Sequence, residues 1–125
     1  MPLNASKADQ ARARIREIVE RLPEAHAVSS GPHLSLEVRK KRFGWFLADH
    51  HGDGRIAVDL KAPHNVREQL ASALPDHFHI AQYLGRHGWV GLWLDVPQLD
   101  WSLVEMALES GYRLVAPKTL LPKLD

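Results

Sequence analysis

Between Leu34 and Leu60 the chain keeps a two-residue beat through three consecutive runs. Leu34, Leu36 and Val38 alternate with Ser35, Glu37 and Arg39. Phe43, Trp45 and Leu47 repeat the pattern, and Ile56, Val58 and Leu60 carry it a third time. Such alternation predicts strands buried on one face. The turn at Lys40-Lys41 separates the first two runs, and Gly52-Asp53-Gly54, whose glycines suit positive φ, separates the next two. A fourth run, Val90, Leu92 and Leu94, follows a long loop from Pro75 to Gly88.

Helical spacing surrounds these runs. Ile15, Ile18, Val19 and Leu22 form one stripe, with Ser6 as the expected N-cap, Asp9 three residues on, and Pro23 closing it. A short helix is expected over Asn65 to Leu74, with Val66, Leu70 and Leu74 inward. Asp100 is placed to cap a last helix carrying Leu103, Val104, Met106, Ala107 and Leu108. Helix, hairpin-linked strands, helix, strand, helix is an α+β plan: an antiparallel sheet with helices packed on one face. With 125 residues, 45% of them hydrophobic, the chain suits one domain over 1–125 with one core.

Composition excludes several kinds of chemistry. With no cysteine there is no disulfide framework, thiolate nucleophile or cysteine-ligated metal, and a reducing cytoplasm is the expected location. The amino terminus has no long apolar stretch, so neither a signal peptide nor a membrane span is expected. The eight histidines include His50-His51 and His77-x-His79, but no third and fourth ligand stand at recognisable spacing. No nucleophile elbow, phosphate loop or Rossmann fingerprint appears, and Asp49 with Asp53, or Glu105 with Glu109, suit turns and helix faces. The expectation is a protein that is not an enzyme, with no metal and no cofactor.

Charge is uneven. Residues 1–62 hold 11 Lys/Arg against 8 Asp/Glu, and residues 63–125 hold 5 against 7, although the net charge is only +1. The cations peak at Arg39-Lys40-Lys41-Arg42. Local potential steers a polyanion more than net charge does. If Val90, Leu92 and Leu94 face the helices, Trp89, Gly91 and Trp93 face the other way. By the same parity Arg39, Phe46 and Lys61 join them, beside Glu37 and Asp59. Aromatic rings stack on bases while cations meet phosphates. The competing reading has the Pro75–Gly88 loop or the carboxy-terminal tail covering Trp89 and Trp93.

Three blocks carry a family resemblance. Tyr83-Leu84-Gly85-Arg86-His87-Gly88-Trp89 runs into Asp100-Trp101, and Ser110-Gly111-Tyr112-Arg113-Leu114-Val115-Ala116-Pro117-Lys118 follows. Upstream stand Phe43-Gly44-Trp45-Phe46, Gly52-Asp53-Gly54-Arg55 and Lys61-Ala62-Pro63. Over residues 20–122 the chain resembles the MmcQ/YjbR family. The resemblance implies a double-wing, frataxin/CyaY-like fold and DNA as partner, the protein being a monomer or homodimer. The candidate nucleic-acid-binding residues are then Arg39, Lys40, Lys41, Arg42, Lys61, Arg86, Trp89, Trp93 and Lys118. The alternative is a module that binds a small molecule or a protein through the Trp89/Trp93 face and the Arg86 loop.

Two expectations attach to the last block. Gly111 departs from the helix-compatible residue of relatives, so the last helix is expected to bend or end early. Leu114 and Val115 are expected to extend its apolar face, with Tyr112 half-buried and Pro117 ending it.

Overall fold

The computed structural model describes residues 3–73, 76–80 and 88–124. Helix α1 spans Ala5–Glu20, followed by strands β1 (Ala25–Ser30), β2 (His33–Val38) and β3 (Lys41–Ala48). After a 3-10 turn at His50–Gly52 come β4 (Ile56–Lys61), α2 (His64–Ala73), β5 (Phe78–Ile80) and β6 (Trp89–Trp93). Helix α3 (Trp101–Val115) and a 3-10 segment, Lys118–Leu124, complete the described chain. The six described strands form one sheet in the order β1-β2-β3-β4-β6-β5, and every pair is antiparallel. The expected α+β class therefore holds, with helices on one face.

The register explains where the core lies. Leu34, Phe46, Val58, Leu92 and Phe78 line up across five strands. Leu36, Gly44, Leu60 and Val90 line up beside them. Against these rows α1 contributes Ala8, Ala11, Ile15, Ile18 and Val19, and α3 contributes Val104, Ala107, Leu108, Gly111 and Tyr112. Helix α2 adds Val66 and Leu70; Leu74 lies outside the described residues. Asn4, not Ser6, caps α1, its side chain accepting from the Lys7 N–H. Asp100 caps α3 as expected, accepting from the Ser102 N–H at 3.0 Å.

The two-residue beat breaks once, inside β3. Leu36 pairs with Gly44 while Glu37 pairs with Arg42, which leaves Phe43 as an extra residue in a bulge. After the bulge the parity inverts. Phe46, expected on the second face, is fully buried in the core, and Trp45, expected in the core, stands on the opposite face. Gly44 permits this packing: a Cβ there would lie 2.7 Å from Leu60 Cδ2 and 2.9 Å from the Asp59 carbonyl oxygen.

Two strands escape the pattern. β1 (Ala-His-Ala-Val-Ser-Ser) carries only small inward residues, Ala25 and Ala27, beneath α1. β5 occupies part of the stretch expected to be loop. β1 is also an edge strand, and edges invite pairing with other chains. Here α1 occupies the edge. The Ala27 N–H donates to Glu20 Oε2 at 2.7 Å, and the Ala27 carbonyl accepts from Arg16 Nη1 at 2.6 Å. Arg16 Nη2 also donates to Ser29 Oγ at 2.9 Å. An Arg16→Ala/Glu20→Ala variant is expected to self-associate more strongly than the parent in sedimentation velocity. Identical sedimentation would remove the guard role.

Candidate functional site

The hairpin joining β2 to β3 turns on only two residues, since Val38 pairs with Lys41. Both have positive φ, Arg39 at 47° and Lys40 at 68°. This is the backbone sense of a type I′ turn, which ordinarily recruits Asn-Gly because the left-handed region crowds a Cβ. A side chain in that region costs about 1 kcal/mol or more, so the cationic tip is held at an energetic disadvantage. Lys40 and Lys41 are exposed, with no ion pair among the described residues.

Arg39 has a different task from the one its position in the basic run suggests. Its Nε and Nη2 donate to the two oxygens of Glu24 at 3.0 and 2.9 Å. These bonds, ahead of Glu24's charge, raise the Arg39 pKa, and the Arg39 side chain lowers that of Glu24. Arg39 thus ties the hairpin tip to the turn before β1 and does not join the tryptophan face.

The face opposite the helices carries Trp45, Trp89 and Trp93. Trp45 pairs in register with Asp59, and Asp59 with Gly91; Leu47, Ala57 and Trp93 form the adjacent row. Arg42 places its guanidinium 4.2 Å from the Trp45 ring centre, and its Nε donates to Ser35 Oγ at 2.8 Å. Arg55 lies 3.9 Å over Trp93 and is held by Asp95 through two bonds of 2.8 and 2.9 Å. Burial alone would raise the Asp95 carboxyl. The Arg55 side chain, the Ile56 N–H and the Arg55 charge outweigh it and hold the pKa below the ordinary carboxylate value.

The sign follows. Asp95 stabilises the fold above its unfolded-state pKa, and that stability is lost as pH falls through the lower folded value. An Asp95→Asn variant should lose stability at neutral pH and show a shallower acid decline, checked by urea midpoints across pH.

The two arginines differ in what they leave available. Arg55 is neutralised by Asp95, whereas Arg42 meets an aromatic face and the Ser35 hydroxyl, which in turn donates to Glu37 Oε2. Both rings already carry a guanidinium on one face. The tryptophans therefore act first as platforms that orient arginines, rather than as open stacking surfaces for bases.

Sequence and structure agree on some of the candidate residues and part on others. Lys40, Lys41 and Arg42 stand together at the base and tip of one hairpin. Lys61 ends β4 half-buried opposite Trp89, which is itself only 6% exposed and so is not an open platform. Trp93 is half-buried beneath Arg55. Lys118 is exposed and opens the segment after α3, outside the strands that carry these tryptophans. Arg86, with Tyr83 and His87, lies outside the described residues. Trp45 and Arg55 were not among the candidates. A glycine inside an apolar alternation, Phe43-Gly44-Trp45, is the signal of a bulge that would have found Trp45.

The last block also differs from expectation. α3 runs unbroken through Gly111 to Val115, and Leu114 points outward, 51% exposed. Tyr112 is the buried member, its hydroxyl donating to the Pro23 carbonyl at 2.6 Å. Leu114→Ala should accordingly fall within about 0.5 kcal/mol of the parent in denaturation, as at other surface positions. Among the described residues no group of three or more His, Cys, Asp or Glu could hold a metal, and no helix is long and apolar enough to cross a membrane.

No family model matches the chain, and no curated protein is significantly similar to it. Solved structures are similar. A Deinococcus radiodurans protein, DR2400, with a DUF419 domain superposes with a TM-score of 0.68 at 20% identity, covering 90% of this chain and 86% of that one. A Pseudomonas syringae protein gives a TM-score of 0.61 at 13% identity, over 82% of this chain and 97% of the other. What they share with it is the fold.

Proposed function

We propose that this chain is a non-catalytic DNA-binding protein of the MmcQ/YjbR type that grips duplex phosphates through the β2–β3 hairpin. The observation that carries this reading is the hairpin itself. Lys40 projects from a turn whose positive φ disfavours it, Lys41 follows at the start of β3, and Arg42 is stacked beside them on Trp45. Strain of this kind persists where surrounding structure enforces it, and it concentrates at functional positions. A merely solvated turn gains nothing from Lys at φ 68°. A phosphate-contacting wing gains a cation at its tip.

Contacts of this type position a protein without reading base sequence. The capped ring of Trp45 favours the same conclusion, because its Arg42 meets phosphate more readily than the covered ring meets bases. Arg39 belongs to the architecture of the wing and Lys40, Lys41 and Arg42 to its contact surface. The cytoplasm is the compartment in which such a protein would meet DNA.

Lys40→Gly separates the two explanations of the turn. Glycine relieves the left-handed backbone, so stability should hold or rise by up to about 1 kcal/mol. Affinity for unrelated duplexes, measured by fluorescence anisotropy, should fall for all of them alike, and further in Lys40→Gly/Lys41→Ala. Unchanged affinity in that double variant would exclude the wing.

A further inference from the structure

The helix layer contains a cleft that the DNA-binding reading does not use. α1 packs on β1 and β3, while α3 packs on β3 and β4. Near the start of both helices lies a hollow of about 430 Å³, lined by Lys7, Gln10, Ala11, Arg14, Leu94, Leu99 and Trp101. Four of these residues, at positions 7, 10, 11 and 14, share one face of α1 by helical spacing. Leu94 is buried, and Leu99 and Trp101 are half-buried. The volume lies within the range of small-molecule sites, which combine an apolar lining with a few polar groups.

The lining side chains that carry charge, Lys7 and Arg14, are both cations, with neutral Gln10 between them on α1. Arg14 lies 5.6 Å over the Trp101 ring and has no carboxylate within 4.0 Å among the described residues. Arg12, Arg21, Arg39, Arg55 and Arg113 each have one. Lys7 gives one of its donors to the Asp95 carbonyl at 3.1 Å and keeps others for a ligand.

The nearby carboxylates are already engaged. Asp9 binds Arg12, Asp95 binds Arg55, and Asp100 accepts from the Ser102 N–H and hydroxyl. A positive rim above an apolar wall fits one kind of occupant, an anionic head on an apolar body.

We infer that this cleft binds a small organic carboxylate with an aromatic or aliphatic tail. Arg14 and Lys7 hold the carboxylate, and the tail lies against Trp101, Leu99 and Leu94. The guanidinium fork suits a carboxylate better than a lone ammonium does, so Arg14 is the principal contact. The site lies in the helix layer, so its occupancy and DNA binding are separately measurable.

Phenylbutyrate is a suitable probe, with its neutral amide and inorganic phosphate as controls. Titration followed by amide chemical shifts should show saturable binding below about 1 mM, a modest affinity for a ligand of this size. The shifts should map to residues 7–14 and 99–101. Arg14→Gln, a change at an exposed position, should weaken phenylbutyrate at least tenfold, and the amide should bind the parent at least tenfold more weakly than the acid. Absence of saturable binding, equal binding of acid and amide, or an Arg14→Gln variant that binds like the parent would overturn the proposal. So would shifts that map to the tryptophan face instead.

Discussion

Phe43→Ala should destabilise the protein by about 3–5 kcal/mol, the range for removing a buried aromatic ring. Phe43 is the bulged residue of β3, fully buried, and meets Tyr112 edge-to-face at 5.9 Å between ring centres. The bulge turns Phe43 toward α3 while still letting Phe46 point into the core three positions later. Truncation would therefore open a cavity where Gly111 and Tyr112 of α3 lie against the sheet. Domains of this kind are stable by only about 5–15 kcal/mol, so the variant should lie near its unfolding threshold. Urea denaturation measures the change directly. A loss of less than about 1 kcal/mol would mean that the bulge does not anchor α3.

Gly111→Ala sets two effects in opposition. In an exposed helix the exchange would stabilise by about 0.8–1.0 kcal/mol. Here the new Cβ would lie 2.9 Å from the Lys61 carbonyl oxygen and 3.4 Å from that of Phe43. Both obstacles are backbone, held in the sheet, so α3 must lift away. Overpacking of this kind typically costs about 1–3 kcal/mol. The expected outcome is net destabilisation, and Gly111→Val should be worse. A melting temperature raised by Gly111→Ala would show that the helix has room it is not seen to have.

These two positions also mark the limit of what could be read from the sequence. Most of β2 and β4, the capped start of α3 and the apolar stripe of α1 follow directly from residue periodicity, because large apolar residues recur at the period of each element, although β4 proves buried on both faces. β1 does not, because Ala25 and Ala27 bury too little surface to leave a strong alternation. The Phe43 bulge shifts every later residue of β3 to the other face. That shift moved Trp45 onto the candidate surface and Phe46 off it. Leu114 misled for a related reason. Its apolar character implies a core position, but α3 presents Leu108, Gly111 and Tyr112 to the sheet and leaves Leu114 outward.

The candidate site was legible as a cluster of charges and rings, but the work of each member was not. Arg39 and Arg42 are equivalent in a list of cations. In the fold one is bound by Glu24 and the other rests on Trp45. Arg42 covers Trp45 across the bulge within β3, and Arg55 covers Trp93 from another part of the sheet, a relation that no local pattern encodes. Partners distant in sequence, Glu24 and Asp95, decided the roles of Arg39 and Arg55.

The salt dependence of duplex binding tests the central claim most directly. Each phosphate neutralised contributes about 0.9 to the slope of log affinity against log salt concentration. With Lys40, Lys41 and Arg42 as contacts, the parent should give a slope near −2.7, and Lys40→Ala/Lys41→Ala should reduce its magnitude to about 0.9. Binding that is absent at low salt, or a slope that is the same in both proteins, would contradict the account.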